Sequence, residues 1–223
     1  MTSVVLADDQ EIVRAGLQLI LEHRGVEVIG AGSNGRDAVA LATRCRPDVV
    51  LMDIRMPVLD GIAATREIVA SGAACKVLML TTYGLDRYVY GALKAGASGF
   101  LLKATPPDRL VAGIETVAAG EALLAPELTR RLIEAHLRGP EPAPDGVPRV
   151  LRCLTPRELE VLELIGRGRS NDEIAQEIAV AGTTVKTHVN RILAKLGLST
   201  RAQAVVLTYE SGLIHPGQGP GSV

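Results

Sequence analysis

The chain has 223 residues, of which 47% are apolar, 22% charged and 2% aromatic. That mixture excludes a disordered chain, no apolar run approaches the ~20 residues of a membrane span, and one Phe, four Tyr and no Trp argue against an RNA-stacking platform. The net charge of −1 is unevenly spread: residues 1–125 carry twelve basic and fourteen acidic residues, residues 149–223 nine and seven, and between Glu177 and Glu210 stand Lys186, Arg191, Lys195 and Arg201 with no acid.

The N-terminus, MTSVVLADDQ, has no basic n-region and meets two Asp early, so no secretory signal is expected. Cys45, Cys75 and Cys153 share no CxxC spacing and read as ordinary thiols of a cytoplasmic protein. The first ~120 residues alternate β-rich runs with amphipathic stretches. Strands are predicted at 3–7, 27–31, 49–54, 76–80 and 99–102, and helices near 10–22, 35–45, 60–70, 86–95 and 106–119. Five strands alternating with helices imply an α/β, doubly wound five-stranded parallel sheet with helices on both faces. Asp60 is an expected helix cap, Thr105-Pro106 an expected cap and first-turn Pro, and Gly120 follows a helix end. On the first helix, Ile12, Gly16, Leu19 and Ile20 suit the sheet. Val13, Leu17 and Leu21 lie further round, as a dimer face or as deeper packing.

Residues 126–137 suit one more helix, and GPEPAPDGVP (139–148) reads as a Pro-stiffened linker. Beyond it everything reads helical, at about 156–166, 171–178, 183–196 and 200–211, with tight Gly-containing turns. This is the pattern of an all-α helix-turn-helix domain. The organisation expected is therefore a first domain at 1–121, a linker helix and Pro-rich linker at 122–151, a helical domain at 152–215 and a tail at 216–223.

In a doubly wound sheet, ligands gather at the C-terminal ends of the strands. Asp8-Asp9, Asp53, Thr81 and Lys103 stand at four such ends. Crowded carboxylates make an oxygen-rich site that suits Mg²⁺, and a hydroxyl and an ammonium beside them suit a phosphoryl group. The chemistry implied is phosphoryl transfer to an Asp. In the helical half, Thr155 with Glu158 forms a predicted capping box and Pro156 takes the first helical position. The helix at 183–196 turns Val185, Val189, Ile192, Leu193 and Leu196 inward and presents Thr183, Thr187, Asn190, Arg191 and Ala194 outward, with Lys186 on the flank. Polar readers plus a small residue suit entry into a DNA major groove.

These residues carry a resemblance. Asp8-Asp9, Asp53 followed by Met56-Pro57 and Asp60-Gly61, Thr81 and Gly99-Phe100-Leu101-Leu102-Lys103 resemble the receiver domain of two-component response regulators, a flavodoxin-like fold. Residues 152–214 resemble a LuxR-type DNA-binding domain, and the pair resembles the NarL/FixJ family. The resemblance implies that Asp53 is the phosphoacceptor of a sensor histidine kinase, with Thr81 and Lys103 on the phosphoryl oxygens. It implies Mg²⁺ on Asp8, Asp9, Asp53 and the Arg55 backbone carbonyl, and a switch formed by Thr81 and Phe100. It further implies double-stranded DNA as a partner and a homodimer on activation, with no membrane association. Thr183, Thr184, Lys186, Thr187, Asn190, Arg191, Lys195 and Arg201 are the implied DNA contacts, with Lys186, Thr187 and Asn190 on bases and Arg191, Lys195 and Arg201 on phosphates. Two positions depart from the family pattern: Ala104, where many receivers have Pro, and Ala181, where a Ser-type cap is usual.

Other patterns are weaker. An Asp-nucleophile phosphohydrolase of this topology tends to place a second Asp two residues after the nucleophile, where this chain has Arg55. A receiver that never uses phosphate conflicts with the intact set of Asp8, Asp9, Asp53, Thr81 and Lys103. Gly30, Gly32 and Gly35 match GxGxxG only weakly as a dinucleotide signal, and His136, His188 and His215 have no partner at metal spacing.

Overall fold

The computed structural model describes residues 1–82, 86–123 and 148–214. The expected linker helix at 126–137, all but the last residue of the Pro-rich stretch, and the tail at 216–223 lie outside the described residues. The chain divides into two compact units, Met1–Leu123 and Leu124–Val223.

The first unit alternates strand and helix: β1 (Ser3–Ala7), α1 (Glu11–His23), β2 (Glu27–Gly32), α2 (Gly35–Cys45), β3 (Val49–Asp53), α3 (Gly61–Ala70), β4 (Lys76–Thr81), α4 (Asp86–Ala95), β5 (Gly99–Leu102) and α5 (Pro107–Ala118). The five strands form one parallel sheet in the order β2-β1-β3-β4-β5. Strands β3 and β4 are buried on both faces, which is why their sequences run apolar without alternation. Helices α1 and α5 pack together on one face, and α2, α3 and α4 follow one another on the other. The order reverses between β1 and β3, and the crevice of such a sheet opens there.

Caps set the helix starts. Asn34 and Asp60 accept hydrogen bonds from the amides of Asp37 and Ala63 at 2.9 and 2.8 Å. One expected cap moves: α5 has Pro106 as its N-cap and Pro107 as its first residue, so Thr105 stands outside the helix. Pro107 fits because the first turn needs no amide donor.

On α1 the deeper-packing alternative holds for Val13, Leu17 and Leu21, while Ile12 and Leu19, expected on the sheet, face outward. Leu17 and Leu21 are buried, and Val13 packs with them against Leu110, Ile114 and Val117 of α5 and the β1, β3 and β4 leucines. Ile12 and Leu19 are 88% and 70% exposed. Both stripes have the same periodicity. The partner decides between them, because α5 fills the groove over the sheet and takes the Val13, Leu17, Leu21 side.

Past α5, Leu123 closes on the free edge of β5. It pairs with Gly99, donates its amide to the Ser98 carbonyl at 3.2 Å and accepts from the Phe100 amide at 3.0 Å. This occupies part of an edge that would otherwise present unpaired backbone groups.

The described part of the second unit is helical: a 3-10 turn at Arg149–Leu151, then α6 (Pro156–Gly166), α7 (Asn171–Glu177), α8 (Gly182–Leu196) and α9 (Arg201–Glu210). Capping boxes start three of them, Thr155 with Glu158, Ser170 with Glu173 and Thr200 with Gln203. Helix α8 begins at Gly182 behind Ala181, which makes no side-chain cap bond. Leu151, Leu162, Ile165, Ile174, Val185 and Ile192 build one fully buried core. It is this core that holds α8 against α6 and α7.

Candidate phosphorylation and DNA-binding sites

Register brings the strand-end residues of the first unit to one rim. Ala7 pairs with Met52, Asp53 with Leu80, and Thr81 with Leu102, so Asp8, Asp53, Thr81 and Lys103 emerge at the same edge. Asp8 and Asp53 are buried, and Asp9 beside them is exposed. One carboxylate oxygen from each of the three lies within 4.8 Å of the others. Three hard, anionic oxygen donors converging on one point suit a small divalent cation better than a soft one.

Lys103 closes the cluster. Its Nζ lies 2.5 Å from Asp8 Oδ2 and 3.0 Å from Asp53 Oδ2, and its amide donates to the Thr81 carbonyl at 2.8 Å. Burial works to lower the lysine, but the flanking carboxylates override it and hold the ammonium above its ordinary value. Burial likewise pushes the Asp53 carboxyl above the usual range, with Lys103 opposing. Asp53 Oδ1 also accepts the Ile54 amide at 2.8 Å. Asp8 is fixed through the Gln10 amide on its Oδ1 at 2.9 Å and Arg14 on its carbonyl at 2.7 Å. The result is an anionic pocket in which the Lys103 ammonium is held between the buried carboxylates of Asp8 and Asp53.

Thr81 is buried at the end of β4, and Phe100 is buried in β5, three residues before Lys103. Arg55 is exposed in the loop after β3. That loop borders a recess of about 640 Å³ whose lining includes Asp9, Arg55, Met56, Asp60, Arg66 and Tyr88, so the cluster meets the recess through Asp9. Gly35 of the GxGxxG-like pattern serves packing: an added Cβ would lie 2.3 Å from the Leu59 carbonyl oxygen.

In the second unit, Thr183, Thr184, Lys186, Thr187, Asn190 and Arg191 all lie on the exposed face of α8, opposite buried Val185, Val189 and Ile192. The Thr187 hydroxyl donates to the Thr183 carbonyl at 3.0 Å. Two basic residues are placed otherwise. Arg201 is 7% exposed, with its guanidinium donating to Asn171 Oδ1 at 2.6 Å and to the Arg169 carbonyl. Where a phosphate contact was expected of it, its donors tie α9 to the start of α7 and the residue before that helix's cap. Lys195 is on the surface, but its ammonium meets Glu158 Oε2 at 2.6 Å. Neither pairing has a signature in sequence, because partners 30 and 37 residues apart meet only through the tertiary fold.

The same two halves emerge from comparison with known proteins. The family model of the response regulator receiver domain matches residues 4–115, and that of bacterial regulatory proteins of the luxR family matches residues 152–208. The transcriptional regulatory protein LnrK of Bacillus subtilis is 40% identical over 219 residues, which cover 96% of this chain and 99% of that protein. The response regulator VraR of Staphylococcus aureus is 38% identical, covering 95% and 98%. The crystal structure of ChrA, the response regulator of a heme-sensing two-component system, is 34% identical with a TM-score of 0.52, covering 96% and 98%. The chain belongs to the two-component response regulators of the NarL/FixJ family, which join a receiver domain to a LuxR-type helix-turn-helix. It is a DNA-binding transcriptional regulator, and among its described residues no helix is long and apolar enough to cross a membrane.

Proposed function

We propose that Asp53 accepts a phosphoryl group from a sensor histidine kinase, and that this drives homodimerisation and DNA binding by the helix-turn-helix. The observation that carries the reading is Lys103 standing between Asp8 and Asp53 at ion-pair distance. An Asp53 oxygen attacks the phosphorus as the bond to the kinase histidine nitrogen breaks. Lys103 and the Thr81 hydroxyl meet the charge on the phosphoryl oxygens, a preorganised electrostatic arrangement. Asp8, Asp9, Asp53 and the Arg55 carbonyl would hold Mg²⁺, which when bound neutralises phosphoryl charge in the same pocket. Phosphate on Asp53 competes for the ammonium that now pairs with Asp8, so Lys103, Thr81 and buried Phe100 form the path by which β4 and β5 respond.

On the DNA side, Lys186, Thr187 and Asn190 are the base readers, with Thr183, Thr184 and Arg191 on the flanking backbone, all on the exposed face of α8. For the dimer, Ile12 and Leu19 are the apolar pair that α1 leaves exposed. A gel-shift titration of the full chain, with and without beryllofluoride and Mg²⁺, on a duplex selected from a random pool tests the reading. Activation tightens binding by the wild type and leaves Asp53→Asn unchanged. A wild type indifferent to beryllofluoride contradicts the switch.

A further inference from the structure

Helix α8 is fastened at its C-terminal turn by a contact that the DNA reading does not use. Glu158 is the third residue of α6 and 4% exposed. Its Oε2 accepts the Thr155 amide at 2.8 Å, closing the capping box, and also the Lys195 ammonium at 2.6 Å. One buried carboxylate oxygen therefore joins the first turn of α6 to the last turn of α8. The carboxyl is held at about 2, chiefly by Lys195 and then by the Thr155 amide, so it is an anion at any physiological pH. At the same turn, the Lys195 carbonyl faces Cys153 Sγ at 4.0 Å. Lys195 lies one turn or more beyond Lys186, Thr187 and Asn190 on the same rigid helix, and a tilt at its C-terminal end changes how deep those residues reach.

We propose that Lys195 is a positioning residue for base reading, which acts by locking the end of α8 to Glu158 and not by neutralising a DNA phosphate. The two roles predict opposite signs at Glu158. If Lys195 serves phosphate, removing the neighbouring anion frees an ammonium and strengthens binding. If the pair sets the pose of α8, removing the anion weakens binding although the protein becomes more positive. The proposal rests on α8 being the recognition helix.

The test uses the full, beryllofluoride-activated chain with Glu158→Gln, Lys195→Met and the double variant. Gln at this position keeps a capping-box acceptor, and the double variant leaves no buried charge without a partner, so it serves if either single variant fails to fold in a thermal melt. Binding is titrated at several salt concentrations on a duplex selected by the wild type and on the unselected pool. The proposal predicts that each variant loses about tenfold in affinity for the selected duplex. It also predicts a lower selected-to-pool ratio and an unchanged slope of log affinity against log salt. A slope shallower by about one in Lys195→Met or the double variant, or tighter binding by Glu158→Gln, overturns it. So does wild-type affinity in all variants. A wild type with no preference for its selected duplex overturns the DNA reading itself, and the proposal with it.

Discussion

A Cβ on Gly61 would lie 2.0 Å from the carbonyl oxygen of Asp53. The first residue of α3 is thus pressed against the backbone of the proposed phosphoacceptor, and its amide donates to the Ile54 carbonyl at 2.8 Å. Glycine is there for close approach, since its neighbour is strand backbone that cannot swing away. Gly61→Ala is expected to destabilise the receiver by ~3 kcal/mol, at the upper end of overpacking costs. It is also expected to slow phosphorylation through displacement of Asp53. Chemical denaturation and a phosphorylation time course measure the two effects. An alanine variant with wild-type stability contradicts the close approach.

The two faces of α1 separate folding from dimerisation. Leu17 sits in the core with Leu110 and Ile114, so Leu17→Ala is expected to cost ~3 kcal/mol. Leu19 is exposed, so Leu19→Glu is expected to leave stability within ~0.5 kcal/mol and to weaken the activated dimer. Light scattering with beryllofluoride, alongside thermal melts, reads both. Full dimerisation by Leu19→Glu places the dimer surface elsewhere.

Much of this architecture was legible in the sequence. Each strand falls within one residue of its expected limits, and the signal is strongest in Val49–Asp53 and Lys76–Thr81, whose runs are buried on both faces. The carboxylate cluster was legible for a related reason: parallel strands all end at one rim, so residues at strand ends must meet. What stayed hidden depends on rotation or on distant partners. The apolar stripes of α1 are equivalent until α5 chooses one. Arg201 and Lys195 read as phosphate contacts until Asn171 and Glu158 arrive from other helices.

If α8 is the recognition helix as proposed, base reading and phosphate contact are separable on it. Lys186→Ala and Asn190→Ala are expected to lose about 1–3 kcal/mol on a selected duplex and much less on random DNA. Arg191→Ala is expected to weaken both alike and to lower the salt slope by about one. Titrations on both duplexes decide this, and an unchanged selected-to-random ratio in Lys186→Ala and Asn190→Ala removes α8 as the reader.

Glu158 also gives the helical domain an acid limb. Its folded-state value of about 2 lies below the ordinary 4.5, so the unfolded chain binds the proton more readily. The stability it contributes is complete above about pH 4.5 and declines as pH falls toward 2. Glu158→Gln is expected to be less stable at pH 7 and to lack that part of the acid decline. Denaturant midpoints across pH 2–7 give the comparison, and parallel profiles for the two proteins contradict it.

Asp53 is the residue on which the proposed switch depends. Intact mass after incubation with acetyl phosphate and Mg²⁺ tests this most directly, with peptide mapping of the adduct. The expected result is one phosphoryl group on wild type, located at Asp53, none on Asp53→Asn, and loss of the adduct when Mg²⁺ is chelated beforehand. Equal phosphoryl incorporation by Asp53→Asn, or an adduct mapped to another residue in the wild type, contradicts the assignment on which the switch depends.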